Sequence, residues 1–353
     1  MKIDAIDLFC GAGGLSFGLQ KAGIFVRAGL DLDPECDYPY SENIVGAKFL
    51  LEDIASIKGE ALANLYRPKS LKLLAGCAPC QPFSNLRNGT AREKSDKWPL
   101  LNHFSRLIQE ISPDLVTMEN VPNLKGQSIF ESFIKALSVF GYHIEYRVVN
   151  AADYGVPQRR KRLVLLASRL GSIHLLAPQE IQAARKTVRE AIGGLCPLNA
   201  GETSTTDPLH KARGFAKITL QRIRASKPGG TWEDWPEHLR LDCHKRASGA
   251  TYKSVYGRLE WDKPSGTITT QASNFGTGRF GHPQQDRSLS LREMAILQSF
   301  PPDYKFLPQG ATACFTPLSR LIGNAVPVDL GYAVGMSIMK HVKNYRSANG
   351  KSK

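Results

Sequence analysis

Two apolar rhythms alternate along the first half of the chain. Short, largely apolar runs at residues 3–8, 25–30, 48–51, 71–75, 114–118, 142–149 and 163–167 predict strands. Amphipathic stretches of helical period lie between them. Leu100, Leu101, Phe104, Leu107, Ile108 and Ile111 form one stripe, and Ile129, Phe130, Phe133, Ile134, Leu137 and Phe140 the next. Both read as core faces packed on a sheet. A helix over residues 15–21, closed by Gly23, follows the first strand. This alternation predicts an α/β fold with a doubly wound, mostly parallel sheet that binds ligands at the carboxyl ends of its strands.

The rhythm stops near Pro178. From there to about Pro283 the chain is rich in Arg, Lys, Gly, Thr and aromatics and has no clear period. Ser290-Leu291-Arg292-Glu293 then forms a capping box opening a helix over 290–300, and a last helix is expected over 329–342. The expected division is residues 1–177 with 315–353 as one domain, and 178–314 as a smaller, irregular one. At 353 residues the chain is long enough for two cores.

Charge sharpens this picture. Lys and Arg outnumber Asp and Glu by 46 to 32, a net charge of +14, which suits a polyanionic partner. Many basic proteins bind no nucleic acid, so charge alone decides little. The seven cysteines are odd in number and scattered, which argues against a disulfide framework. The N-terminal residues show no signal-peptide pattern, and no run approaches the roughly 18 apolar residues of a membrane span. A cytoplasmic location without membrane attachment is therefore expected.

The strand ends carry the candidate chemistry. The loop Asp7-Leu8-Phe9-Cys10-Gly11-Ala12-Gly13-Gly14-Leu15 joins the first strand to its helix. Its glycines allow close backbone approach to a ligand, and the helix start offers free amides. It lacks the G-x-G-x-x-G spacing of dinucleotide folds. Asp31 ends the second strand, where a carboxylate can accept from ribose hydroxyls, and Asp53-Ile54 follows the third. Three strand tips compatible with one nucleoside favour S-adenosylmethionine as ligand.

Gly76-Cys77-Ala78-Pro79-Cys80-Gln81-Pro82-Phe83-Ser84 follows the fourth strand. Its Cys-x-x-Cys admits three readings. A zinc site lacks a second ligand pair. A redox pair would open a helix, whereas Pro82 indicates a loop. The third reading is a nucleophilic cysteine, only slightly ahead on spacing alone. Glu119-Asn120-Val121, ending the neighbouring strand, favours it by bringing a carboxyl group to the same crevice. Gln158-Arg159-Arg160-Lys161-Arg162 is either a solvated basic turn or an anchor for phosphate and a base carbonyl.

Together these motifs resemble the DNA cytosine-5 methyltransferases, of the stand-alone bacterial or phage type. The resemblance also includes Arg292-Glu293, Leu297-Gln298-x-Phe300-Pro301 and Gly323-Asn324-Ala325-Val326-Pro327. It implies a Rossmann-like S-adenosylmethionine-dependent fold in which residues 178–314 recognise the target. Cys80 would be the nucleophile, Glu119 would contact the cytosine ring nitrogen and amino group, Arg162 would bind the base carbonyl, and Arg160 would support the site. The cofactor would be held by Phe9, Gly11, Ala12, Gly13, Gly14, Leu15, Asp31, Leu32, Asp53, Ile54, Asn324 and Ala325. Leu32 stands where the family often has an adenine-stacking aromatic. Pro79, Gln81, Ser84, Asn120, Gln158, Arg258, Thr267 and Thr269 would serve the substrate or DNA. The segment 84–98 would close over a flipped base, although Lys97-Trp98-Pro99 departs from the family's usual Arg-Gly there.

The implied partner is double-stranded DNA, bound by a monomer, with a cognate restriction endonuclease acting on the same site. The location would be the cytoplasm, at the nucleoid, of a prokaryotic or phage-encoded enzyme. Two rivals stay open: an RNA cytosine-5 methyltransferase of the same family, and a DNA-binding protein that has lost catalysis. Duplex DNA against transfer RNA as methyl acceptor separates the first, and covalent trapping the second.

Overall fold

All seven apolar runs become strands of one sheet. The computed structural model describes residues 2–79, 99–246 and 251–349. The strands are β1 (Ile3–Leu8), β2 (Phe25–Asp31), β3 (Lys48–Leu51), β4 (Leu71–Gly76), β5 (Leu115–Asn120), β6 (His143–Asn150) and β7 (Lys161–Ser168). The helices are α1 (Gly14–Lys21), α2 (Asp37–Asn43), α3 (Gly59–Ala63), α4 (Pro99–Ile111), α5 (Ser128–Val139), α6 (Val188–Ile192), α7 (Lys217–Ala225), α8 (Leu291–Leu297), α9 (Phe315–Asn324) and α10 (Val328–Asn349).

The sheet order is β3-β2-β1-β4-β5-β7-β6. Neighbours from β3 to β5 run parallel, while β7 is antiparallel to both β5 and β6. The chain moves outward from β1 to β3 and then crosses to β4 on the other side. β1 and β4 therefore flank the topological switch point, where open α/β sheets form their ligand crevice. The loops leaving these two strands carry the glycine motif and the cysteine motif.

Two apolar layers cover the sheet. One contains Leu15, Leu19, Leu330, Val334 and Ile338, and the other Phe104, Leu107, Ile108, Phe130 and Phe133, the stripes read from the sequence. α1 and α10 pack through small residues: a Cβ on Gly18 would lie 2.5 Å from the Val328 carbonyl oxygen and the Tyr332 nitrogen. Only a hydrogen at that position allows the two backbones to come so close. The C-terminal helical segment Phe315–Asn349 contains an 18-residue window of mean hydropathy 1.3, more apolar than the sequence reading suggested. That window is 78% buried, as in a core helix.

The chain divides into two compact units: Met1–Tyr154 with Lys161–Ala184 and Val326–Lys353, and Gly155–Arg160 with Arg185–Ala325. This differs from the expected division at three places. Residues 155–160 join the second unit because Gln158 bridges to Ser265. Residues 315–325 join it because Gln298 Nε2 donates to the Ile322 carbonyl at 2.7 Å, tying α9 to the end of α8. Residues 178–184 stay with the first unit, where Glu180 pairs with Lys340 of α10 at 2.8 Å.

The second unit has little regular structure and combines buried apolar residues such as Phe275, Leu289, Met294 and Phe300 with buried polar side chains. Trp232, Trp235 and Leu239 form a small core with Tyr256 against it, so these aromatics are structural. Arg287, fully buried, grips Glu293 with two hydrogen bonds of 2.7 Å. Burial pushes the Glu293 carboxyl up, but the hydrogen bonds and charge of Arg287, helped by His282 and the Ser290 amide, hold it at about 2. Removing one partner of such a pair leaves an unpaired buried charge, at a cost of roughly 3–5 kcal/mol. Arg287→Ala is thus expected to destabilise this unit by about that amount in urea unfolding. A loss below about 1 kcal/mol would show that the pair is not integral to the core.

Candidate active site

Asp31, Gly11 and the start of α1 form the first part of the site. Phe9, Gly11 and Gly13 adopt φ values of 58°, 54° and 87°, turning the chain sharply from β1 into α1. Gly13 caps α1 without a side chain of its own, and the Asp7 carboxylate accepts from the Ser16 amide in the first turn. The first-turn amides and the positive end of the helix dipole suit an anionic group such as a carboxylate. The side chains of Ala12 and Leu15 are buried in the core, which leaves their backbone as the part able to meet a ligand. A Cβ on Gly11 would meet nothing within 4 Å, so there is room above the loop.

The Asp31 carboxylate is fixed by the amides of Gly11 at 2.9 Å and Asp33 at 3.1 Å. Burial raises its pKa, and the two amide bonds oppose that rise. Leu32 beside it is 66% exposed, an apolar surface suited to lie against a base. Asp53 accepts from the Ala55 amide at 2.9 Å, and Ile54 is buried. Backbone donors, an aimed carboxylate and an exposed leucine at one sheet edge fit a nucleoside carrying an amino-acid tail.

Asp7 lies in the same loop and was not singled out from the sequence as a functional group. It accepts from Ser16 Oγ at 2.7 Å, and Ser16 in turn meets the Tyr40 hydroxyl at 2.9 Å. Its second oxygen has no hydrogen-bond partner among the described residues. Burial pushes the Asp7 carboxyl up to about 7, against the Ser16 bond, with the Asp31 charge adding to the rise. The folded protein therefore keeps a proton that the unfolded chain releases above its ordinary value of 3.8. Stability contributed here is full at low pH and falls as pH climbs from about 4 to about 7, by on the order of a few kcal/mol at most. Asp7→Asn is expected to remove that slope in urea unfolding compared at pH 5 and pH 8. An identical slope in both proteins would exclude Asp7 as its source.

At the end of β5, Glu119 is 5% exposed. The β4–β5 register ends at Gly76 opposite Met118, so Cys77 comes beside Glu119, and Cys77 Sγ donates to Glu119 Oε2 at 2.9 Å. From the other side, Arg162 Nε lies 2.8 Å from Oε1. This is a charge contact, because Oε1 has no directed hydrogen bond among the described residues. β7 starts at Lys161, two residues earlier than the apolar run suggested. Arg162 is therefore a strand residue on the diagonal from Glu119 and not part of the preceding turn.

Several expected contacts have other duties. Asn120 is buried; its Nδ2 donates to the Ala78 carbonyl at 3.1 Å, bracing the chain that leads to Pro79. Gln158, fully buried, donates to the Leu297 carbonyl and Gln298 Oε1 and accepts from the Ile268 amide. Arg258 is 5% exposed, bonds the carbonyls of Ile223, Ser226, His282 and Gln285, and pairs with Asp286. In this structure the three side chains, expected to serve the substrate or DNA, form internal ties. Arg160 is likewise buried and donates to the carbonyls of Ile268 and Gly323, holding the turn that carries Asn324 and Ala325 in the second unit. Asn324 itself is exposed, and Ala325 is buried. Thr267, exposed, donates to the Arg159 carbonyl, while Thr269 accepts from the Gln271 amide. Pro79 is exposed; Cys80, Gln81, Ser84 and the segment expected to close over a base lie outside the described residues. Among the described residues, no group of three or more His, Cys, Asp or Glu could hold a metal ion.

The family model for the C-5 cytosine-specific DNA methylases matches residues 3–340. The chain belongs to this family. It is a DNA cytosine-5 methyltransferase with S-adenosylmethionine as methyl donor. The type II methylase M.HgiDII of Herpetosiphon aurantiacus is 48% identical over 345 residues, covering 96% of this chain and 95% of that protein. The type II methyltransferase M1.HphI of Haemophilus parahaemolyticus is 31% identical, covering 96% and 87%. Among solved structures, the Entamoeba histolytica methyltransferase EhMeth superposes with a TM-score of 0.68 at 16% identity, covering 97% of this chain and 99% of that one. At that identity the likeness speaks for the fold. The Rossmann-like reading of the sheet agrees with it.

Proposed function

We propose that this methyltransferase acts on a cytosine flipped out of duplex DNA, with Cys80 as nucleophile, as the modification enzyme of a restriction system. The observation that carries this reading is the buried Glu119 carboxylate. Cys77 donates to one oxygen, and the other lies against the Arg162 guanidinium without a directed hydrogen bond among the described residues. A buried carboxylate with hydrogen-bonding capacity unused among the described residues is the kind of group a substrate completes.

Carbon-5 of cytosine is too weakly nucleophilic to attack a methyl sulfonium unaided. Addition of the Cys80 thiolate to carbon-6 makes the ring an enamine, reactive at carbon-5. The attack pushes electrons onto the ring nitrogen, where the Glu119 carboxyl would hold a proton and stabilise the developing charge. Arg162, set against Glu119, would hold the base carbonyl and favour the thiolate. S-adenosylmethionine, when bound, supplies the electrophilic methyl group. Asp31 would orient its ribose, the α1 amides its carboxylate, and Phe9, Leu32 and Asp53 its adenine. Loss of the carbon-5 proton then expels Cys80 and restores the ring.

None of this can occur within a stacked duplex, so the base must leave the helix at a cost of roughly a few kcal/mol. The net charge of +14 suits contact with the phosphates. A cognate endonuclease and a cytoplasmic location follow from the restriction reading. Bisulfite sequencing of plasmid DNA from a host expressing this chain tests the proposal. Cytosines protected at one short sequence are expected; uniform conversion would overturn it.

A further inference from the structure

Cys77 is a thiol that the proposed chemistry does not use. Its backbone amide bonds the Leu8 carbonyl at 3.3 Å, extending the β1–β4 pairing one residue past the strand end. The residue is therefore fixed by the sheet on its β1 side, while its half-buried Sγ is turned to Glu119 Oε2 at 2.9 Å on the β5 side. A thiol is a weak donor to neutral acceptors, but the acceptor here is a buried carboxylate, which strengthens the bond. The next residue is tied in the same way, since Asn120 holds the Ala78 carbonyl at 3.1 Å. The β4 and β5 ends are thus zipped twice just before the nucleophile.

We propose that Cys77 is a positioning residue: its thiol on Oε2, with Arg162 against Oε1, sets the plane in which the Glu119 carboxyl group meets the pyrimidine. The inference rests on the role proposed for Glu119 and deepens it. Of the two cysteines in the Cys-x-x-Cys, the first orients the acid and the second attacks. What matters at position 77 is a small donor. Serine should serve, and alanine should not.

Steady-state methylation of duplex DNA by the full chain tests this with Cys77→Ala, Cys77→Ser and, as reference, Glu119→Gln. Calorimetric binding of S-adenosylhomocysteine checks that each variant is folded. A hydrogen bond to a charged group predicts that Cys77→Ala lowers kcat by about tenfold, with KM for DNA and cofactor-product affinity unchanged. Cys77→Ser should recover at least about half of the wild-type kcat. Wild-type kcat in Cys77→Ala, or equal losses in the alanine and serine variants, would overturn the inference. If Cys77→Ala matches wild type while Glu119→Gln is crippled, the positioning role alone falls. If Glu119→Gln itself turns over normally, the reading of Glu119 falls and the inference with it.

Discussion

Replacing Cys80 with alanine is expected to abolish methyl transfer to duplex DNA while leaving cofactor binding and stability intact. The reasoning is chemical before it is structural. Without a bond to carbon-6, carbon-5 stays part of an aromatic ring with little tendency to attack an alkyl sulfonium. Cys77 cannot substitute, because it is fixed by its backbone bond to Leu8 and turned toward Glu119. The expected loss is on the order of 10⁴-fold or more in kcat, the scale reached when a covalent nucleophile is removed. Tritiated-methyl incorporation into DNA measures it. A residual rate within tenfold of wild type would mean that the ring is activated by some other group.

The second large effect is expected at Glu119. Glutamine there is nearly isosteric and can still donate a hydrogen bond to the ring nitrogen, but it cannot give up a proton. The variant should lose about 10²–10⁴-fold in kcat, the range for a positioned acid. It should also loosen its grip on Arg162, because the ion pair at 2.8 Å loses its negative member. Arg162→Ala and Glu119→Gln should therefore combine less than additively, since both act on one carboxylate-guanidinium unit. Single-turnover rates of the two single variants and the double variant check this. Full additivity would place the two residues in separate roles.

The sheet was legible because its strands are short, largely apolar runs, those at its centre buried on both faces. β1 and β3 were bounded correctly from that signal, and the stripes of α4 and α5 were identified residue by residue. The placement of β7 between β5 and β6 was not legible. Both pairings are antiparallel, and nothing in a single strand's pattern states which neighbour it will take. That one topological fact puts Arg162 beside Glu119. The candidate site was legible where a residue type is rare at its position, as with Glu119 ending a buried strand. It was less legible where a polar residue also serves the fold itself. Asn120, Gln158 and Arg258 look like surface readers in sequence, yet each is buried and bonded to backbone carbonyls. The irregular second unit needs ties like those of Gln158 and Arg258, since it has few ladders of its own to satisfy its main chain. Cys77 was weighed only as half of a pair with Cys80; its partner became visible once the β4–β5 register was known.

The central claim is that this chain forms a covalent bond to carbon-6 of cytosine through Cys80. Duplex DNA containing 5-fluorocytosine at the modified sequence, incubated with the enzyme and S-adenosylmethionine, tests it most directly. Carbon-5 then carries no proton to lose, so the adduct should accumulate as a denaturation-resistant complex, with the modified peptide mapping to Cys80. A protein that methylates normal DNA but gives no adduct, or an adduct on any other residue, would contradict the account.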